Sequence, residues 1–316
     1  MVKIGILGTG FGVVHVETFV NHPLVSEIVV FSRKQESLDP IIKQFGVIST
    51  TKLEDILTDP DIKIVTIALP PKLQVEFAIK AMEHGKDVIC EIPVSPILAD
   101  IETLTAVSHQ TGKRVLVDLF DRFTTPAKIA HEMINSGEYG RVCHVSMTNA
   151  AGPVWGNHPL PLNALPMEMS YSDFDFLSWC LGDLQVKSVA AVERDEHSSA
   201  ASTLLEGLNG LPIVLTNSAL PTKVYAVQSC WQIFFEEATL SYYEKSWSTA
   251  GDNKAEMLLY SDDEVQSIDL PKHNHYFASL DYSLRKIVSG EKGLTDLEQS
   301  IPVLKLVMEL EQQLKS

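Results

Sequence analysis

The stretch Ile4-Gly5-Ile6-Leu7-Gly8-Thr9-Gly10-Phe11-Gly12 constrains the fold of this chain more than any other. A strand-like apolar run over residues 2–7 leads directly into alternating glycines and then into a helical pattern over residues 13–20. Gly8 allows a tight turn, and Gly10 lets backbone approach a pyrophosphate with no Cβ in the way. The start of the next helix adds unpaired N–H groups and a positive dipole end. A strict G-x-G-x-x-G has its third glycine where this chain has Val13, one residue beyond Gly12. A turn-forming glycine cluster with no ligand is the plain alternative, and the strand-before, helix-after context is what favours dinucleotide binding.

That context extends through the first third of the chain. Strand-like runs at 28–31, 64–69, 88–90 and 115–117 alternate with helical patterns at 40–45, 53–57, 75–84 and 98–111. Continuous apolar strands separated by helices imply a parallel sheet covered on both faces, here a doubly wound α/β domain over residues 1–120. The remainder, 121–316, reads differently. Helical patterns at 125–135 and 167–181 flank a strand at 141–149 and a Pro/Gly-rich segment at 152–166. Alternating β patterns fill 186–270, and two helices close the chain at 275–288 and 295–314. This predicts an α+β domain with a mostly antiparallel open sheet, and 316 residues suit two domains at about 150 residues each.

Charge narrows the partners. Lys and Arg number 25 against 41 Asp and Glu, a net −16. Nucleic acid and anionic membrane surfaces call for clustered positive charge and are excluded on that ground. Residues 1–120 carry 11 basic and 15 acidic side chains, a milder −4, so an anionic ligand belongs there. Four separated cysteines with no C-x-x-C pair read as thiols of a reducing compartment. With no leader-like start and no apolar run of about 18 residues, the expectation is a cytoplasmic protein.

About 20 residues beyond the glycines, an NAD-binding chain keeps an acid for the ribose 2′-hydroxyl. This chain has Ser32-Arg33-Lys34 there. Serine does not repel a 2′-phosphate and the two cations pair with one, so NADP is preferred over NAD; a solvated basic turn is the plain alternative.

Ala68-Leu69-Pro70-Pro71 and Ala81-Met82-Glu83-His84-Gly85-Lys86-Asp87-Val88-Ile89-Cys90-Glu91-Ile92-Pro93 then bring a family into view. So do Asp121-Arg122-Phe123, Ser136-Gly137-Glu138-Tyr139-Gly140-Arg141-Val142 and Asp175-Phe176-Leu177-Ser178-Trp179-Cys180-Leu181-Gly182. In that order these segments resemble the Gfo/Idh/MocA group, the glucose–fructose oxidoreductase and inositol dehydrogenase family. The resemblance implies that the nicotinamide lies among Leu69, Pro70, Glu91, Ile92 and Pro93. It also implies a substrate site on the second domain, and a homodimer or homotetramer.

The chain departs from the family pattern where the chemistry would be. The lysine of the family's E-K-P is Ile92. Counting back from Asp175 puts Glu168 at an expected Asp and Ser172 at an expected His. Glu168, Ser172 and Asp175 have i, i+4, i+7 spacing, which places them on one face of a helix, with Tyr171 on an adjacent apolar face. An alkyl chain moves no proton, and serine is a poor base at neutral pH. Three readings stay open. Glu168, Tyr171, Asp175 or His158 does the proton work; or hydride transfer needs little help, as in biliverdin reductase, which this fold resembles; or the chain binds cofactor and ligand without turnover, like galactose-pathway regulators of similar fold.

Further substrate candidates are Arg122, Trp155 and His158, the last two in the irregular 152–166 segment, where a Trp can stack on a sugar face. Each has a bland counterpart: an ion-pair arginine, a packing Trp, a solvated His. His273-Asn274-His275 lacks a third ligand and reads as a capping turn, so no metal is expected. Large apolar groups at Trp231-Gln232-Ile233-Phe234-Phe235 suggest a sheet face that a second copy covers. The expected activity is an oxidoreductase acting on a sugar, cyclitol or related polar carbonyl or hydroxyl compound, with a non-catalytic sensor as the alternative.

Overall fold

A computed structural model describes residues 1–152, 160–220, 222, 225–246 and 251–315. In chain order its elements begin with β1 (Val2–Leu7), α1 (Gly12–Phe19), β2 (Val25–Phe31), α2 (Gln35–Phe45), β3 (Ile48–Thr50) and α3 (Glu54–Leu57). Then come β4 (Ile62–Ile67), α4 (Pro71–Glu83), β5 (Asp87–Cys90), α5 (Leu98–Thr111), β6 (Val115–Val117) and α6 (Thr125–Ser136). The middle of the chain gives β7 (Val142–Ala151), α7 (Tyr171–Leu181), β8 (Gln185–Asp195), β9 (Ser198–Glu206), β10 (Pro212–Ala219) and β11 (Val227–Phe235). Last are β12 (Thr239–Ser246), β13 (Lys254–Tyr260), β14 (Val265–Ser267), α8 (His275–Ser289) and α9 (Ser300–Leu314).

Two units result: Met1–Phe123 with Asn274–Ile301, and Thr124–His273 with Pro302–Ser316. The segment that carries α8, placed in the second domain on sequence, packs within the first unit. Its Leu280 and Leu284 are fully buried in the core that holds Ile4, Ile6, Val16 and Phe19. The His22 ring at the end of α1 bonds Asp281 across 2.7 Å.

In the first unit all six strands run parallel in the order β3-β2-β1-β4-β5-β6. The order reverses between β1 and β4, and a crevice opens at the carboxyl ends of strands at such a switch point. The last four residues of β1, β2 and β4 are buried whichever way they point, which is why these strands read as continuous apolar runs. A helix was expected from residue 295, but α9 starts at Ser300. Residues before it are held along β6 instead: Val117 N donates to Thr295 O at 2.7 Å, and Leu116 bridges Asp296. Backbone pairing on an open sheet edge wins there over helical periodicity.

The second unit is an eight-stranded sheet, β14-β13-β12-β11-β7-β10-β9-β8, antiparallel except where β10 runs parallel to β7. Alternation along β9 and β10 buries one face. Trp231, Ile233 and Phe235 lie on that buried face, with Trp231 against the rings of Phe176 and Tyr242. They are therefore already covered by their own chain, and of the large apolar groups in that run Phe234 alone points to the opposite face, stacked on His144. No helix among the described residues is long and apolar enough to cross a membrane.

Candidate functional site

The turn after β1 takes the shape its glycines predict. Gly8 has φ +113°, and a Cβ there would stand 2.3 Å from the Ala68 carbonyl oxygen, so no other residue fits between the ends of β1 and β4. A Cβ on Gly10 would meet no heavy atom within 4 Å, so that backbone borders open space. Gly12 starts α1, whose N-cap Phe11 makes no side-chain cap bond. The Phe11 ring is 42% exposed, edge-on to Tyr276 of α8 at 5.2 Å. A bare turn, open space beyond Gly10 and an uncapped helix start fit a pyrophosphate.

At the end of β2, Arg33 and Lys34 are exposed and Ser32 is half-buried. Lys34 is the N-cap of α2 and leaves that helix start without a side-chain cap. Its own backbone N–H donates to Ser32 Oγ at 3.4 Å. Among the described residues neither Arg33 nor Lys34 has an ion-pair partner. Leu69 and Pro70 lie between β4 and α4, Leu69 half-buried and Pro70 exposed.

Glu91, Ile92 and Pro93 follow β5, and the Gln74 amide of α4 fixes them by donating to Glu91 O at 3.1 Å and Pro93 O at 3.0 Å. The Ile92 side chain is half-buried. Glu91 turns inward, where its Oε1 lies 2.6 Å from His15 Nε2 on α1. Asp118, just beyond β6, completes a fully buried group of three. Burial pushes the Glu91 carboxyl up to about 8 and the His15 ring down to about 4. Asp118 lies well above the usual carboxylate range, first through burial and then through Glu91 beside it. The sequence singled out Glu91 but not His15 or Asp118. Only the helix-to-strand packing shows that they meet.

Arg122 does not line an open site. It is 2% exposed, and its guanidinium donates to Leu294 O at 2.9 Å and Gln299 Oε1 at 3.1 Å. Asn274 caps α8, accepting from Phe277 N at 3.2 Å, and His273 Nδ1 lies 3.1 Å from Thr125 Oγ1.

In the second unit, the helix expected from residue 167 begins as a wider π-type turn over Pro166–Ser170 and becomes α-helical only at Tyr171. The wider turn shifts the phase of Glu168 from the 3.6-residue count, while Ser172 and Asp175 keep i, i+3 spacing on α7. Glu168 is exposed, Ser172 half-buried, and Asp175 and Tyr171 buried. The carboxylate that gathers partners is Asp173. It accepts from the Asn217 amide at 2.6 Å and from the Asn149 amide, and Ser170 Oγ donates to Asn217 Oδ1 at 2.7 Å. Asn149 and Asn217 face each other across β7 and β10, a pairing no sequence pattern announced. Trp155 and His158 lie outside the described residues.

Residues 2–119 match the model of an oxidoreductase family with an NAD-binding Rossmann fold. Over these residues the chain is similar to the Gfo/Idh/MocA oxidoreductases. An uncharacterised oxidoreductase of Synechocystis is 27% identical over 208 residues, 61% of this chain and 56% of its own length. The 4-carboxy-2-hydroxymuconate-6-semialdehyde dehydrogenase of Sphingobium is 31% identical over 138 residues, 43% of this chain and 44% of its own. These matches span about half the length of those relatives. The fold is shared further. A 3-ketoreductase from Actinomadura kijaniata, solved with NADP and TDP-benzene, superposes with a TM-score of 0.81 at 18% identity, over 97% of this chain and 96% of its own. An Agrobacterium radiobacter oxidoreductase, solved with NAD+, L-tartaric acid and magnesium, gives 0.83 at 16%, over 100% and 96%.

Proposed function

We propose that this chain is an NADP(H)-preferring oxidoreductase acting on a sugar, cyclitol or related polar carbonyl or hydroxyl compound. The observation that carries the reading is the bare glycine turn opening onto α1, with unpaired Arg33 and Lys34 at the end of the neighbouring strand. The turn suits a pyrophosphate and the two cations suit a 2′-phosphate. A bound nicotinamide supplies or accepts the hydride. The chain's part is to hold the dinucleotide along the carboxyl ends of β1, β2, β4 and β5. A non-catalytic sensor is the second reading, favoured by the non-titratable Ile92 and Ser172.

One experiment separates the two: NADPH and NADH titrated into the protein, followed by a panel of sugars, polyols and ketosugars monitored at the nicotinamide absorbance. Turnover supports the oxidoreductase; tight NADPH binding with no turnover assigns the sensor; no dinucleotide binding overturns both. Assembly as a homodimer or homotetramer belongs to the same proposal. The opposite face of the large sheet offers Leu204 and Val214, cross-strand neighbours 40% and 38% exposed, together with Phe234. Equilibrium sedimentation is expected to give twice or four times the 35.0 kDa chain mass; a single-chain mass at micromolar concentration overturns that part.

A further inference from the structure

Three ionisable side chains meet in the first unit where solvent does not reach. His15 comes from α1, Glu91 from the end of β5 and Asp118 from the end of β6, and one polar atom of each lies within 4.8 Å of one from each of the others. His15 and Asp118 are fully buried, and only Glu91 retains a little exposure, 10% of its side chain. Asp118 interacts with Ser279 of α8 and with Glu91, and His15 Nδ1 is buried with no hydrogen-bond partner among the described residues. Buried polar atoms are rarely left so.

Protons suit that place better than a metal ion. Two ligands of one ion, each about 2.0–2.2 Å from it, stand roughly 3 Å or more apart. His15 Nε2 and Glu91 Oε1 are 2.6 Å apart, a distance that a shared proton explains. The surroundings also favour protonation of the two carboxyls. Asp121 and the phenol of Tyr276 lie within electrostatic reach, as does the Cys90 thiol, which burial and Glu91 keep protonated. Gln74, packed from α4, bonds only the backbone carbonyls of Glu91 and Pro93. With both carboxyls protonated and the imidazole neutral, the group holds two carboxyl protons and has no net charge.

We propose that His15, Glu91 and Asp118 are one proton-exchanging site, which keeps both protons while the adjoining strand ends are empty or hold an uncharged ring, and releases one when a cationic ring occupies them. This rests on the nicotinamide reading above, because the oxidised ring carries the positive charge and the reduced ring does not. The step balances: one carboxyl O–H gives its proton to solvent through Glu91, its electron pair stays as a carboxylate, and the new negative charge faces the ring's positive one. The site would then supply the proton change that accompanies hydride transfer in a chain with neither lysine nor histidine at positions 92 and 172.

Two measurements test it. The first needs no cofactor. Carboxyl carbon-13 chemical shifts of Asp- and Glu-labelled protein, from pH 4 to 9, are expected to show two carboxyls still protonated at pH 6. Asp118→Asn is expected to remove one signal and displace the other's titration. Two carboxyls fully ionised at pH 6 in the wild-type protein overturn the site, whatever becomes of the variant. The second is titration calorimetry of NADP+ and NADPH near pH 7 in buffers of unlike ionisation enthalpy. NADP+ is expected to release on the order of one proton more than NADPH, with its dissociation constant falling up to roughly tenfold per pH unit. Asp118→Asn and His15→Gln are expected to abolish the difference. Equal proton counts for the two nucleotides overturn the linkage while leaving the oxidoreductase reading intact, whereas no binding of either nucleotide overturns that reading and the linkage with it. A stoichiometric divalent ion in the purified protein also overturns the proposal.

Discussion

The two units build their polar sites by opposite routes. In the first, the candidate ligand groups stand in the loops just past strand ends, so each is placed by its own neighbours in the chain: Gly8 and Gly10 after β1, Arg33 and Lys34 after β2, Pro70 after β4. In the second, Asp173 meets Asn149 and Asn217 across an α-helix and two strands that lie 24 and 44 residues away. A site made by local turns tolerates change elsewhere in the fold. A site made by packing depends on every element that contributes to it.

The sharpest way to break this contrast is at the glycines. Gly8→Ala is expected to lose more than about 3 kcal/mol of stability, because a Cβ there meets the Ala68 carbonyl at a φ few side chains adopt. Gly10→Ala is expected to change stability by less than about 1 kcal/mol while abolishing dinucleotide binding, since its Cβ enters only open space. Denaturant unfolding and NADPH titration of both variants decide it. Equal destabilisation by the two substitutions would mean that the turn is structural throughout.

Next comes the packed site. Asp173→Ala leaves the buried Asn217 amide and the half-buried Asn149 amide without this acceptor and is expected to cost roughly 2–4 kcal/mol. NADPH affinity should be unchanged. A matching loss of affinity, measured on protein shown by circular dichroism to be folded, would break the separation of the two units.

The buried triad predicts a pH dependence. Glu91, raised from 4.5 to about 8, keeps its proton in the folded chain where the unfolded chain gives it up, so its contribution is lost as the pH rises through that window. His15, lowered from 6.5 to about 4, acts the other way, and its contribution is lost as the pH falls below 6.5. The two oppose each other between 4.5 and 6.5, and above that only the carboxyls act. The Glu91 carboxyl is therefore expected to lower stability by about 2 kcal/mol between pH 6.5 and 8. Thermal unfolding across that range should show the decline in the wild-type protein and a shallower one in Glu91→Gln. An unchanged slope in the variant would place the titration elsewhere.

The smallest expected effect lies at the exposed cations. Arg33→Ala should weaken NADP binding about tenfold or somewhat more, the worth of one charge-assisted hydrogen bond, and leave NAD binding nearly as it was. Ser32→Asp should reverse the preference by setting a carboxylate against the 2′-phosphate. Calorimetry with both cofactors reads the result. An equal loss for NAD and NADP on Arg33→Ala would indicate stacking on adenine.

Much of the first unit was legible in the residues themselves. Glycine, proline and the apolar strand runs act through steric and burial rules that reach only a few positions along the chain, so the order of strands and helices, the turn after β1 and the cations after β2 could all be read directly. The π-type turn at Pro166–Ser170 holds Glu168, so its phase relative to Ser172 and Asp175 on α7 could not be counted from a regular helical period. What only the tertiary structure decided are the meetings of distant residues: His15 with Glu91 and Asp118, Asp173 with two strands, α8 with the nucleotide-binding unit. Each depends on which elements pack side by side, and that is set by the burial of whole faces, which no short run of residues encodes.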